Sequence, residues 1–122
     1  MTPPTTTATL PREVLKRSGE RAAFDARKIR SAIERAGAAT GEFGADEAQL
    51  LAAQVGKVLI HRFHGQAPSI EQIQDVVEHT LIAANHLHTA RAYIAYRDRR
   101  AQLRADKQTL VDVESSINEY LT

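Results

Sequence analysis

The residues best suited to chemistry are basic and close together. Lys16 and Arg17 are adjacent, and Arg27, Lys28 and Arg30 follow within fifteen positions. Phosphates are bound by convergent positive charge and hydrogen-bond donors, which lysine and arginine supply together. On a strand, Lys16 and Arg17 point to opposite faces, so only one of them can face the rest of the domain. Lys28 is expected in the first turn of a helix, where a cation opposes the macrodipole. An anion at that end would account for it. By composition alone, the same patch also reads as a solvated face.

Other chemistries find less support. The chain has no cysteine, which removes disulfides, thiolate nucleophiles, Cys-type zinc sites and iron–sulfur clusters. Neither a G-x-x-x-x-G-K-[ST] loop nor a G-x-G-x-x-G fingerprint occurs, and Gly41-Glu42-Phe43-Gly44 reads as a plain loop. His61 and His64 share a helix, and His86 and His88 flank a helix junction. A good metal site needs a third or fourth ligand, and no H-E-x-x-H is present, so no metal ligands are assigned. Glu42, Asp46 and Glu47 fit capping and helix-dipole roles. Glu71 and Asp75 stand at i, i+4 on one helix with no evident partner for acid–base work. No catalytic residue is assigned.

These side chains must be positioned by a chain of 122 residues, the size of a single domain. Its 16 basic and 15 acidic residues nearly cancel, so attraction for polyanions must come from local clustering. The basic residues gather over residues 16–35 and 91–107. No apolar run approaches the ~20 residues needed to span a bilayer, and no signal-peptide pattern opens the chain. The expected location is cytoplasmic, with no membrane partner.

Residues 1–12, rich in Thr and Pro, read as a disordered arm. The Ser18-Gly19 pair between two short extended segments predicts a small hairpin, which must pack on the helices after it. Asp25 is the expected N-cap of a first helix carrying Ile29, Ala32, Ile33 and Ala36, with Gly37 beginning its exit. Asp46 with Gln49 predicts a capped second helix bearing Leu51, Val55, Val58, Leu59 and Phe63. Ser69 with Gln72 repeats the signal for a third, bearing Ile70, Ile73, Val77, Leu81 and Ala84. A fourth is expected from near Thr89 to about Arg104, partly burying Tyr93, Ile94 and Tyr96. Val113, Ile117 and Leu121 predict a separate short helix in the tail. The expected fold is mainly α, a four-helix core capped by a small N-terminal β-hairpin or sheet, with a short C-terminal helix or tail.

Taken in order, Val14-Leu15-Lys16-Arg17-Ser18-Gly19, Phe24-Asp25-Ala26-Arg27-Lys28-Ile29, Ile70-Glu71-Gln72-Ile73-Gln74-Asp75-Val76-Val77-Glu78 and Thr89-Ala90-Arg91-Ala92-Tyr93-Ile94 resemble an ATP-cone domain. This is the N-terminal allosteric module of ribonucleotide reductases, also found in their dedicated transcriptional repressor. The resemblance implies a β cap over four helices with ATP or dATP beneath it, accompanied by Mg²⁺, and regulation through oligomeric state. It implies roles for Lys16 and Arg17 at the triphosphate, for Lys28 beside them, and for Val14 and Ile29 near the nucleoside. Ser69, Gln74 and Arg99 match positions that complete the phosphate site in some members, Gln74 standing where some relatives carry His.

Without cysteine, the chain can build neither the repressor's zinc ribbon nor the thiyl radical of reductase chemistry. The expectation is a non-enzymatic regulatory cone over residues 13–105. Residues 106–122 resemble the entry to the catalytic part of anaerobic ribonucleoside-triphosphate reductases. The expected partners are a reductase catalytic chain or a second copy of the chain. A helical nucleic-acid-binding module using Arg91, Arg97, Arg99, Arg100 and Arg104 is the alternative, disfavoured by the near-neutral charge.

Overall fold

The computed structural model describes residues 9–121, with side chains described to residue 107. Two short strands precede four helices. β1 (Glu13–Leu15) pairs antiparallel with β2 (Arg21–Ala23), Val14 standing opposite Ala22. Lys16 N donates to Glu20 O (2.8 Å) and Gly19 N to Lys16 O (2.9 Å), closing the turn. Gly19 takes φ 91°, a left-handed conformation that glycine adopts without steric cost.

Strands of three residues cannot hold themselves together. Phe24 N donates to Arg12 O (2.9 Å), extending the ladder, and Leu15 N donates to Pro68 O (2.8 Å) in a parallel bridge to Ser69. Pro11 is buried and Leu10 reaches Gly56, so residues 9–12, expected in the disordered arm, pack against the domain. The remaining arm residues, 1–8, lie outside the described part.

α1 (Ala26–Thr40) begins on Asp25, whose carboxylate accepts from Arg27 N (3.0 Å), as expected. It does not exit at Gly37. The helix runs through this buried glycine to a left-handed cap at Gly41, because the Phe43 ring folds back to where a Cβ on residue 37 would lie. α2 (Ala45–Phe63) starts on Gly44 with no side-chain cap. Asp46 and Glu47 instead occupy its first turn, where negative charge meets the positive end of the helix dipole. α3 (Ile70–Ala83) carries the expected capping box, with Gln72 N donating to Ser69 Oγ and Ser69 N to Gln72 Oε1. α4 (Leu87–Leu121) is a single helix of 35 residues where the sequence pattern predicts two segments. Its sequence contains neither glycine nor proline, so nothing in the chain stops it.

The helices form a ring in which α1 packs on α2, α2 on α3, α3 on α4, and α4 again on α1. Ile33, Leu51, Val55, Leu59, Val76, Leu81 and Tyr93 fill its centre. Each fully buried aliphatic side chain contributes about 1.5–3 kcal/mol relative to exposure.

The ring closes through Glu42, in the α1–α2 loop. Its carboxylate accepts from Thr89 N and Thr89 Oγ1 (both 2.6 Å) and from His88 N (3.3 Å). A side chain distant in sequence thus caps the head of α4. Thr89 is fully buried, and its hydroxyl also meets Thr40 Oγ1 (2.8 Å), tying the end of α1 to the start of α4. Nearby, His86 Nε2 lies 2.9 Å from Glu47 Oε2 and its ring packs on Phe43.

Both the glycine and the carboxylate can be tested by substitution. Gly37→Ala should destabilise by about 1–3 kcal/mol through overpacking against Phe43, although alanine is the better helix former. Urea denaturation reads this, and a stabilised variant would contradict the packing. The Thr89 hydrogen bonds hold the Glu42 carboxyl below the ordinary glutamate range. Its contribution is therefore complete above the unfolded glutamate value and lost as pH falls through the lower folded one. Glu42→Gln should lower Tm at neutral pH and lessen the loss of stability on acidification, as thermal melts between neutral and acid pH would register.

Candidate functional site

The hairpin, the heads of α1 and α3, and the middle of α4 lie at one end of the bundle. β2 passes through Phe24 and Asp25 directly into α1, and β1 is bridged to Ser69 at the head of α3. α4 runs antiparallel to α3. Its Arg97 Nη1 donates to Asp75 Oδ1 (3.1 Å) and to Glu78, bringing Arg99 level with the early turns of α3.

Lys16 and Arg17 are not on a strand. β1 ends at Leu15, and both cations begin the exposed turn, so strand alternation does not force them apart. Val14 is half-buried within β1. Arg17 Nη2 lies 3.0 Å from Glu71 Oε1 in the first turn of α3. The bridge between Leu15 and Ser69 places the turn beside Ser69, whose hydroxyl is engaged as the helix cap. Gln74 is half-buried one turn further along α3.

Lys28 lies in the first turn of α1, exposed, its N–H donating to Asp25 O (3.1 Å). Asp25 is held below the usual carboxylate range, first by the side-chain hydrogen bond from Arg27 and then by that residue's N–H. Arg27 is therefore occupied locally, whereas Lys28 has no ion pair among the described residues.

Helical spacing stacks Lys28, Ala32, Arg35 and Ala39 along one flank of α1. Ala32, Ala36 and Ala39 form one wall of a groove of about 280 Å³, with Tyr93 and Tyr96 of α4 opposite and Arg35 and Arg99 on its edges. Lys28 extends this flank towards the hairpin. Ile29 faces elsewhere. It packs on the core and, with Phe24, lines a separate groove of about 310 Å³ between α1 and α2, edged by Arg27, Arg30 and Lys57. The candidate residues thus share one end of the bundle without sharing one cavity.

Glu71, Arg35 and Tyr96 are not among the site residues that the sequence points to, and Arg97 enters there only in the nucleic-acid alternative. The Arg97 side chain is only 18% exposed. Burial works against its charge, but its hydrogen bonds to Glu78 and Asp75 outweigh that and raise its pKa. A cation committed in this way is withdrawn from the stripe of arginines on which the nucleic-acid alternative relied. Burial also pushes the Tyr93 hydroxyl up to about 12, so it stays neutral at physiological pH. Glu71 and Asp75, which have no evident partner in the sequence, are both ion-paired. Among the described residues no three His, Asp or Glu side chains gather as a metal site, and no helix is long and apolar enough to cross a membrane.

Comparison with known proteins gives a consistent result. The family model of the ATP cone domain matches residues 12–102. The chain is 33% identical over 106 residues to an anaerobic ribonucleoside-triphosphate reductase of Haemophilus influenzae, the match covering 81% of this chain and 15% of the relative. Against a ribonucleoside-diphosphate reductase subunit alpha of Chlamydia pneumoniae it is 32% identical, covering 77% of this chain and 10% of that protein. A vitamin B12-dependent ribonucleoside-diphosphate reductase of Mycobacterium tuberculosis is 37% identical, with 82% and 14% covered. The chain therefore spans only about a tenth to a seventh of these relatives' length.

Proposed function

The chain belongs to the ATP-cone family, and on that premise we propose that it binds ATP or dATP, with Mg²⁺, as the allosteric regulatory domain of a ribonucleotide reductase. Lys16 and Arg17 at the hairpin turn and Lys28 at the head of α1 take the triphosphate. Ser69, Gln74 and Arg99 complete its surroundings and Val14 lies towards the nucleoside, with Ile29 on the nucleoside side only as an apolar backing, since it lines the neighbouring groove between α1 and α2. Residues 13–105 form the binding domain, and residues 106–122 lead towards a catalytic partner or a second copy. The domain reports nucleotide state through a change in oligomeric state and performs no chemistry of its own.

The observation that carries this reading is the turn itself. Two adjacent cations leave the strand on an exposed loop, and the Leu15–Pro68 hydrogen bond holds that loop against the head of α3. Lys16, Lys28 and Arg99 have no ion pairs among the described residues, leaving their charge available to an incoming anion. The sugar decides the signal, because ATP and dATP differ at the 2′-hydroxyl alone. A ligand that shifts an assembly must bind its two states with different affinity.

Calorimetric titration with Mg²⁺–ATP and Mg²⁺–dATP tests the proposal. Wild type should bind at least one of them. A hydrogen bond from a charged group is worth about 1.5–3 kcal/mol, so Lys16→Ala and Lys28→Ala should each weaken binding by about 10- to 100-fold. Failure of wild type to bind either nucleotide would sink the reading, whereas unaltered binding by both variants would sink only the site assignment. Size-exclusion chromatography with each nucleotide checks the change of assembly.

A further inference from the structure

Arg17 differs from the other candidate cations in already having a counter-ion. Its Nη2 sits 3.0 Å from Glu71 Oε1, with side-chain exposures of 37% and 53%. Lys16, Lys28 and Arg99 make no such pair among the described residues. Glu71 lies in the first turn of α3, just past the Ser69 cap, where an acidic side chain is favoured by the helix dipole. The hairpin is fixed to the same helix head through Leu15 and Pro68. The pair thus closes across a gap that the backbone already spans.

A guanidinium presents its N–H donors as a planar fork, and carboxylate and phosphate compete for the same edge. A phosphate taking Arg17 must displace the Glu71 carboxylate and then tolerate its negative charge nearby. Both effects weaken binding. Resting on the nucleotide reading, we propose that Glu71 is an affinity-setting residue of this site, a latch that occupies Arg17 until a triphosphate displaces it. Ligand binding then exchanges a direct tie between hairpin and α3 for one that runs through the nucleotide.

The test is a double-mutant cycle, with Mg²⁺–ATP titrated calorimetrically into wild type, Glu71→Gln, Arg17→Gln and the double variant. Exposed ion pairs are worth up to about fivefold in an equilibrium constant, so Glu71→Gln should tighten binding about threefold to fivefold. The double variant should bind no more tightly than Arg17→Gln alone. Glu71→Asp keeps a charge in the first turn of α3 but withdraws the carboxylate by one methylene. It should move the affinity in the same direction, which guards against a folding defect in the glutamine variant. An unchanged or weaker Kd for both Glu71 variants overturns the latch. So does a gain of similar size in the double variant, since that would reflect general repulsion rather than occupation of Arg17. If wild type binds no nucleotide, the underlying reading falls and the latch with it; if wild type binds but the Glu71 variants do not tighten, the latch alone falls.

Discussion

The bundle closes through Glu42. A helix leaves its first N–H groups without partners, and in α4 two of them, those of His88 and Thr89, donate to a carboxylate from a distant loop. The same carboxylate accepts from the fully buried Thr89 hydroxyl, which also meets Thr40 Oγ1, so this buried polar group is satisfied from both sides. This contact fixes where α4 starts and how it lies against α1. Everything further along α4 inherits that placement: Tyr93 in the core, Arg97 between Asp75 and Glu78, and Arg99 at the groove. The two ends of the domain are thus connected, since a cap at one end sets the position of a cation at the other.

The hairpin is held from outside in the same way. Its strands are too short to persist alone; the backbone hydrogen bond from Leu15 to Pro68 joins them to the rest, while that from Phe24 to Arg12 lengthens their own ladder. The capping box at Ser69 and Gln72 orders the head of α3 that receives the first of these. The cations proposed to take the phosphates, Lys16 and Arg17, are therefore carried on a loop that would have no fixed position without a helix terminus beside it. Arg17 and Glu71 add a charged tie at the same junction.

Most of the architecture is legible in the sequence because its signals are local. Asp25 and the Ser69–Gln72 box mark helix starts through contacts within three residues, and the apolar spacing of Leu51, Val55 and Leu59 marks a buried face. The departures have tertiary causes. Gly37 looks like a helix end but is kept small for Phe43, and Asp46 resembles a cap where Gly44 holds that position. The candidate site residues are legible as a basic cluster and as a family pattern. Their arrangement is not: the strand stops one residue before Lys16, so alternation does not apply. Nothing at Glu71 signals Arg17, because the two meet only when the hairpin folds onto α3.

α4 is far longer than the bundle needs. At about 1.5 Å per residue, its 35 residues span roughly 52 Å, against about 21 Å for the 14 residues of α3. Residues 101–107 are all exposed, with Leu103 at 61%, so its distal part extends past the ring. Arg97, through Asp75 and Glu78, ties α4 to α3 before this distal part begins. A tilt of about 10° there would carry the far end about 5 Å over a length of about 30 Å. A rearrangement too slight to disturb the packing at the hairpin would thus become a displacement of atomic-contact size at the far end of the helix.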